Sequence, residues 1–185
     1  RRRVQEELEE EDGDGGDDGE ILVFASGNLG LAYFTSYAER PTLEQIAGAH
    51  PALVKGLARH EGVGFVAGVS SERGPIAAGA HGIHELETGR VVGDDPLAPY
   101  GPNAARHVLR ELRFANAPDL VMVSTYWEDD DEVAAFEELV GSHGGLGGMQ
   151  AHPFLLHPAH LHVPDEPLIG TRAVHEVLKS WVPDR

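Results

Sequence analysis

The 185 residues include no cysteine. Disulfide frameworks, thiolate zinc sites and cysteine nucleophiles are therefore excluded, although this absence does not fix the redox compartment. Lysine is almost missing too: Lys55 and Lys179 stand beside twelve arginines. Neither lysine lies in a Gly-x4-Gly-Lys-Ser/Thr phosphate loop. The chain also lacks a Gly-x-Gly-x-x-Gly after a strand, a Gly-x-Ser-x-Gly elbow and a His-Glu-x-x-His pair. No apolar run approaches the roughly 18–20 residues of a spanning helix. Residues 1–20 are too polar for a signal peptide, so the sequence reads as a soluble chain. Positive charge is scarce overall, with 14 Lys and Arg against 31 Asp and Glu, a formal net charge of −17. Phosphate backbones need clustered cations, so this balance argues against a nucleic-acid partner and against an anionic membrane surface.

The negative charge is unevenly spread. Residues 1–20 hold ten acids and three arginines, −7 of the −17, with one Val and one Leu. Too little apolar surface is available there to offset the entropy of ordering. Residues 1–19 are read as an acidic flexible linker and residues 20–185 as the folded part. Asp12, Asp14, Asp17 and Asp18 invite a calcium reading, but Gly16 and Val23 stand where an EF-hand needs ligands.

Beyond residue 20, helical and extended patterns alternate. The apolar runs 20–26 and 29–34 flank Gly27-Asn28, a turn signal, and predict a hairpin. Thr42 is a candidate N-cap for a helix carrying Leu43 and Ile46, and Pro51 opens a second helix. Strands are expected over 62–69 and 75–80, and a hairpin over 81–95 turning at Gly89-Arg90. Asn103 is a candidate cap for a helix from 104 to about 114. Leu120–Ser124 reads as the best central strand. A helix is expected from about Asp131 to Val140, with Val133, Phe136 and Val140 on one face. Phe154-Leu155-Leu156 is a candidate final strand, and Thr171 a candidate cap for a closing helix over 173–181. The mixture implies layered α/β or α+β architecture.

Three stretches carry candidate chemistry. In FEELVGSHGGLGGMQ (136–150), His143 sits among five glycines. Glycine lets backbone approach an ion or phosphate closely, and a neutral imidazole is a good metal ligand; the competing reading is a loop histidine that caps a turn. His152, His157, His160 and His162 form the second stretch. His160 and His162 would share a strand face able to bind zinc, whereas the interleaved prolines favour an extended surface segment. In PLAPYGPNAARHVLR (96–110), a helix N-terminus follows a Pro/Gly loop, a potential anion site. Arg110 lies about two turns further in, where an ion pair is the simpler expectation. None of these is a complete catalytic constellation, and no catalytic residue is assigned.

Three segments, ASGNLGLAYF (25–34), PLAPYGPNAARHVLR (96–110) and EVAAFEELVGSHGGLGGMQAHPFLLHP (132–158), together with AVHEVLKSW (173–181), resemble the C-terminal part of a bacterial family in the alkaline phosphatase superfamily. These proteins are type I phosphodiesterase/nucleotide pyrophosphatase-like. They are often named phage holin family membrane proteins, because a transmembrane region precedes the phosphodiesterase-like domain. The resemblance covers nearly everything from residue 21 onward. It implies an α/β fold, a partial alkaline-phosphatase-like three-layer sandwich with a mixed sheet, incomplete at its N-terminal side. It also implies a two-metal phosphoester hydrolase, usually with zinc, in which two ions stabilise the attacking and leaving oxygens. His143, in its His-Gly context, matches the last histidine ligand of that superfamily and is the one residue carried over.

The departure is as informative. The superfamily's Asp-His-Gly motif, early Asp and Thr or Ser nucleophile have no counterpart here, and the chain contains no Asp-His dipeptide. The resemblance therefore implies a C-terminal fragment. Two divalent metal ions and a phosphoester substrate belong to the complete parent, expected at a bacterial cell membrane, and this chain supplies at most one ligand. The missing N-terminal portion is an expected partner, and the chain alone is expected to lack phosphodiesterase activity. The competing reading is a non-enzymatic interaction or remnant module.

Overall fold

Apolar residues on both sides of a two-residue turn fold the start of the described chain into a hairpin. In a computed structural model, which describes residues 21–137 and 141–182, β1 (Ile21–Ser26) pairs antiparallel with β2 (Leu29–Phe34), and Ser26 faces Leu29 across the turn. Gly27 has φ +60°, a value such tight hairpin turns demand and glycine supplies without a Cβ penalty. The expected linker over 1–19 lies outside the described residues. Contacts divide the chain into one unit ending at His152 and a second beginning at Pro153.

In the first unit, α1 (Leu43–Ala49) starts where expected. Thr42 Oγ1 accepts from the Gln45 N–H at 3.3 Å, and Gln45 Oε1 accepts from the Thr42 N–H at 2.8 Å, a reciprocal cap. Next come α2 (Leu53–Arg59), β3 (Val63–Ser70), β4 (Gly74–Ala78), β5 (Gly82–Glu85), β6 (Arg90–Gly93), α3 (Ala104–Leu112) and β7 (Leu120–Ser124). The seven strands form one sheet in the order β1-β2-β7-β3-β4-β5-β6. β7 is buried at every residue and lies between β2 and β3, the central strand that its sequence predicts.

Strand alternation distributes the core over both faces. Phe65, Ala67, Val121 and Val123 pack with Val108 and Leu112 of α3. Val66, Leu120 and Met122 pack with Leu43 and Ile46 of α1 and Ala58 of α2. A bulge between Val63 and Phe65 sends these two residues, two apart in sequence, to opposite faces. Helices therefore cover both sides of the sheet. Each fully buried large apolar side chain, Phe65 and Leu120 among them, contributes about 1.5–3 kcal/mol.

Four expectations need correction. First, the sheet is not mixed: every strand pairing among the described residues is antiparallel. Four of the pairings join consecutive strands through short turns, which permit only antiparallel neighbours. β2 and β3 do run the same way, joined by α1 and α2, but β7 enters between them. Second, residues 131–137 are not helical. β8 (Tyr126–Trp127) pairs with β9 (Glu132–Val133). The Ala134 N–H donates to the Thr125 carbonyl at 2.9 Å and the Phe136 N–H to the Gly27 carbonyl at 2.8 Å. These long-range bonds use donors that a helix would keep within itself. Val140, with residues 138–139, lies outside the described residues. Third, Phe154–Leu156 form no strand; Phe154 is 91% exposed and Leu156 89%. Fourth, Arg110 makes no ion pair among the described residues and instead lies 5.3 Å from the Phe114 ring centre.

The second unit carries α4 (Thr171–Ser180), with Val177 buried. Gly170, rather than Thr171, holds its N-cap position. Asn103 does occupy the cap position of α3, but its side chain makes no capping bond. No helix among the described residues is long and apolar enough to cross a membrane.

Candidate functional site

The glycine-dense loop around His143 closes against the β1–β2 turn. Asn28, fully buried, makes the junction. Its Oδ1 accepts from the Gly145 N–H at 2.9 Å, and its Nδ2 donates to the Leu146 carbonyl at 3.2 Å. Its own N–H donates to the His143 carbonyl at 3.0 Å, and its carbonyl accepts from the Ser124 N–H at 3.1 Å. One side chain thereby ties the β1–β2 turn to the loop, while its backbone joins both to the end of β7. A buried amide satisfied on each side is well placed to fix loop geometry.

The close fit explains two of the glycines in this region. A Cβ on Gly27 would collide with the His143 carbonyl oxygen, and one on Gly147 would stand 2.9 Å from the Tyr126 ring. The close approach at these two glycines is to His143 and to the tyrosines of this chain, not to an ion or phosphate. Tyr100, in the short helical turn Ala98–Tyr100, donates to the Ser124 carbonyl at 2.6 Å. Burial pushes its pKa up to about 12, so it stays a protonated donor across the neutral range. Tyr126 Oη donates to Asp131 Oδ1 at 2.9 Å, and that bond raises the tyrosine's pKa. Ser124 Oγ and Ser142 Oγ are buried without a hydrogen-bond partner among the described residues.

His143 itself is exposed. Its backbone is held by Asn28, so its imidazole is presented from an anchored loop. A two-ion centre needs several carboxylates and imidazoles converging within a few ångströms. Among the described residues no three His, Asp or Glu side chains gather closely enough to hold a metal ion. The donors described here therefore do not fit a complete two-metal set. No family model, curated protein or solved structure matches this chain.

The other histidines are placed separately. His160 lies in a turn and His162 has no regular secondary structure, like residues 152–158, so His160 and His162 share no strand face. His157 lies 5.5 Å from the Trp181 ring, whose Nε1 donates to the His162 carbonyl at 2.9 Å. Both contacts are structural ties within the second unit. The Pro96–Asn103 loop feeds α3 and contributes Tyr100 to the core. Asn28 was missed as a site residue: in sequence it reads only as a turn former, and its partners lie 117 and 118 residues away.

Proposed function

We propose that this chain forms part of a metal-dependent phosphodiesterase of the alkaline phosphatase superfamily type. It contributes His143 as one metal ligand and has no hydrolytic activity alone. On this reading the fold is a portion of an alkaline-phosphatase-like sandwich. The nucleophile and the remaining ligands come from outside these 185 residues, and the complete protein acts on a phosphoester at a bacterial membrane with two divalent ions, usually zinc in that superfamily. The observation that carries the proposal is the Asn28 junction. It joins the 25–34 segment to the 132–158 segment, two of the stretches on which the resemblance rests, and leaves the His143 imidazole exposed on an anchored loop. Helical layers on both faces of the sheet also support it. The role of this chain's own residues is positional: Asn28 fixes the loop backbone, and the loop aims His143.

The test is direct. The pure chain, supplied with zinc and a bis-aryl phosphate, is expected to show no turnover. Metal-dependent hydrolysis by this chain would overturn the claim that its site is incomplete. A second reading, a non-enzymatic interaction module, is favoured by β1, which among the described residues pairs on one side only and whose Val23 and Phe24 are exposed. An in-frame upstream coding stretch with Asp-His-Gly and a Thr or Ser nucleophile selects the first reading, and stop codons there select the second.

A further inference from the structure

A cavity of about 550 Å³ opens between α1, α2 and the β4–β5 region, within the usual size range of small-molecule sites. Leu43, Val54, Ile76 and Ile83 supply apolar lining. Lys55, Arg59 and Arg73 line it as well, against a single acid, Glu44. This reverses the overall charge balance, because residues 21–185 carry 21 acids and 11 Lys and Arg.

The charges are not equivalent. Arg73 is committed to Glu85, at 3.1 Å. Glu44 accepts from Ser70 Oγ at 2.6 Å, the Ser71 N–H at 2.8 Å and Ser71 Oγ at 3.0 Å. Partial burial alone would raise its pKa, but these bonds together outweigh that and lower it to about 2, so it remains an anion. Lys55 and Arg59 have no ion-pair partner among the described residues, and both are exposed. They stand four apart on α2, where like charges repel. Lys55 also lies in the first turn, the end of a helix that disfavours a cation. Arg59 closes the helix, where a cation is favoured, so helix stability accounts for Arg59 but not for Lys55 or for their mutual repulsion, which an anion placed between them would relieve.

We infer that this cavity binds a small amphipathic monoanion, a medium-chain carboxylate with its apolar chain along Val54, Ile76 and Ile83 and its head between Lys55 and Arg59. Two uncommitted cations beside the fixed Glu44 charge leave a net of one positive charge, which suits a carboxylate better than a doubly charged phosphate. The cavity also continues toward a second one of about 320 Å³, with which it shares Ala58, Arg59, Gly79 and Ala80. Arg59 thus borders both. The inference does not depend on the phosphodiesterase reading.

The experiment titrates the full chain with decanoate, decanol and decyl phosphate by calorimetry, and maps decanoate by amide and methyl shifts. Decanoate is expected to bind at least tenfold more tightly than decanol and more tightly than decyl phosphate, with shifts centred on Val54, Ile76 and Ile83. The Lys55→Ala/Arg59→Ala variant changes two exposed side chains and should keep the wild-type circular dichroism spectrum while losing at least tenfold in decanoate affinity. Lys55→Arg should retain binding within about threefold. Equal binding of decanol, tighter binding of decyl phosphate, shifts centred elsewhere, unchanged affinity in the double variant, or no binding at millimolar decanoate would each overturn it.

Discussion

The loop at 141–148 and the run at 152–162 are both rich in the residues that usually announce a site, and they are held in opposite ways. The first is dense in glycine, an entropic handicap, yet a buried asparagine, two tyrosines and the end of a central strand fix its path. The second contains four histidines and strongly apolar residues, yet Phe154 and Leu156 face solvent and only His157 and His162 have the Trp181 contacts described above. Side-chain chemistry alone does not make a site. Order around a loop comes from long-range bonds to rigid elements, and these reach the first region.

Substitutions can break that contrast. The largest effect is expected from Asn28→Ala, which leaves the half-buried Gly145 N–H and Leu146 carbonyl without their partner and opens the buried Asn28 position. The cost is about 2–3 kcal/mol, read by urea unfolding, with faster amide exchange at Gly145; an exchange pattern that does not change would mean Asn28 is not the anchor.

Tyr100→Phe comes next, at about 1 kcal/mol, because it removes the bond to the Ser124 carbonyl. It also changes the pH response. A tyrosine whose folded pKa is raised supports the fold fully below its unfolded value of 10.0, and that support is lost as pH rises toward about 12. The variant should therefore lose less stability than the wild type between pH 10 and 12, measured by thermal melts across that range.

His143→Ala should change stability by less than about 0.5 kcal/mol, since the imidazole is exposed and Asn28 binds only backbone there. A larger loss in denaturant would give the ring a structural role and weaken the ligand proposal. The smallest effect is expected from Phe154→Ser, near zero in unfolding free energy, with improved solubility as the visible change. If that variant instead melts early, the run carries packing that its exposure hides.

How much the sequence revealed depends on the range of the interaction. The β1–β2 hairpin, the Thr42 cap and the β5–β6 turn at Gly89 were legible, because each is decided by neighbours a few residues apart. The strand character of 120–124 was legible too, since an unbroken apolar run suits a strand buried on both faces. Its position between β2 and β3 was not, because strand order is set by distant pairings. The helix expected over 131–140 shows how local pattern misleads: Val133 and Phe136 have helical spacing, but the Ala134 and Phe136 donors bond to Thr125 and Gly27. For the site, His143 and its glycines stood out by composition. Asn28 did not, for nothing near residue 28 signals a partner more than a hundred residues later.

The position of β7 has a consequence for how the molecule assembles. Hairpin β1–β2 and the meander β3–β6 are each local in sequence, but among the described residues neither pairs with the other except through Leu120–Ser124. During synthesis the two pieces emerge first, each with an apolar edge open, and the strand that joins them arrives last. Sheet closure is therefore a late, long-range step, slow by topology. Until it occurs the nascent chain exposes two unpaired strand edges to any other chain nearby. A polypeptide ending before residue 120 would retain both halves and lack their seam.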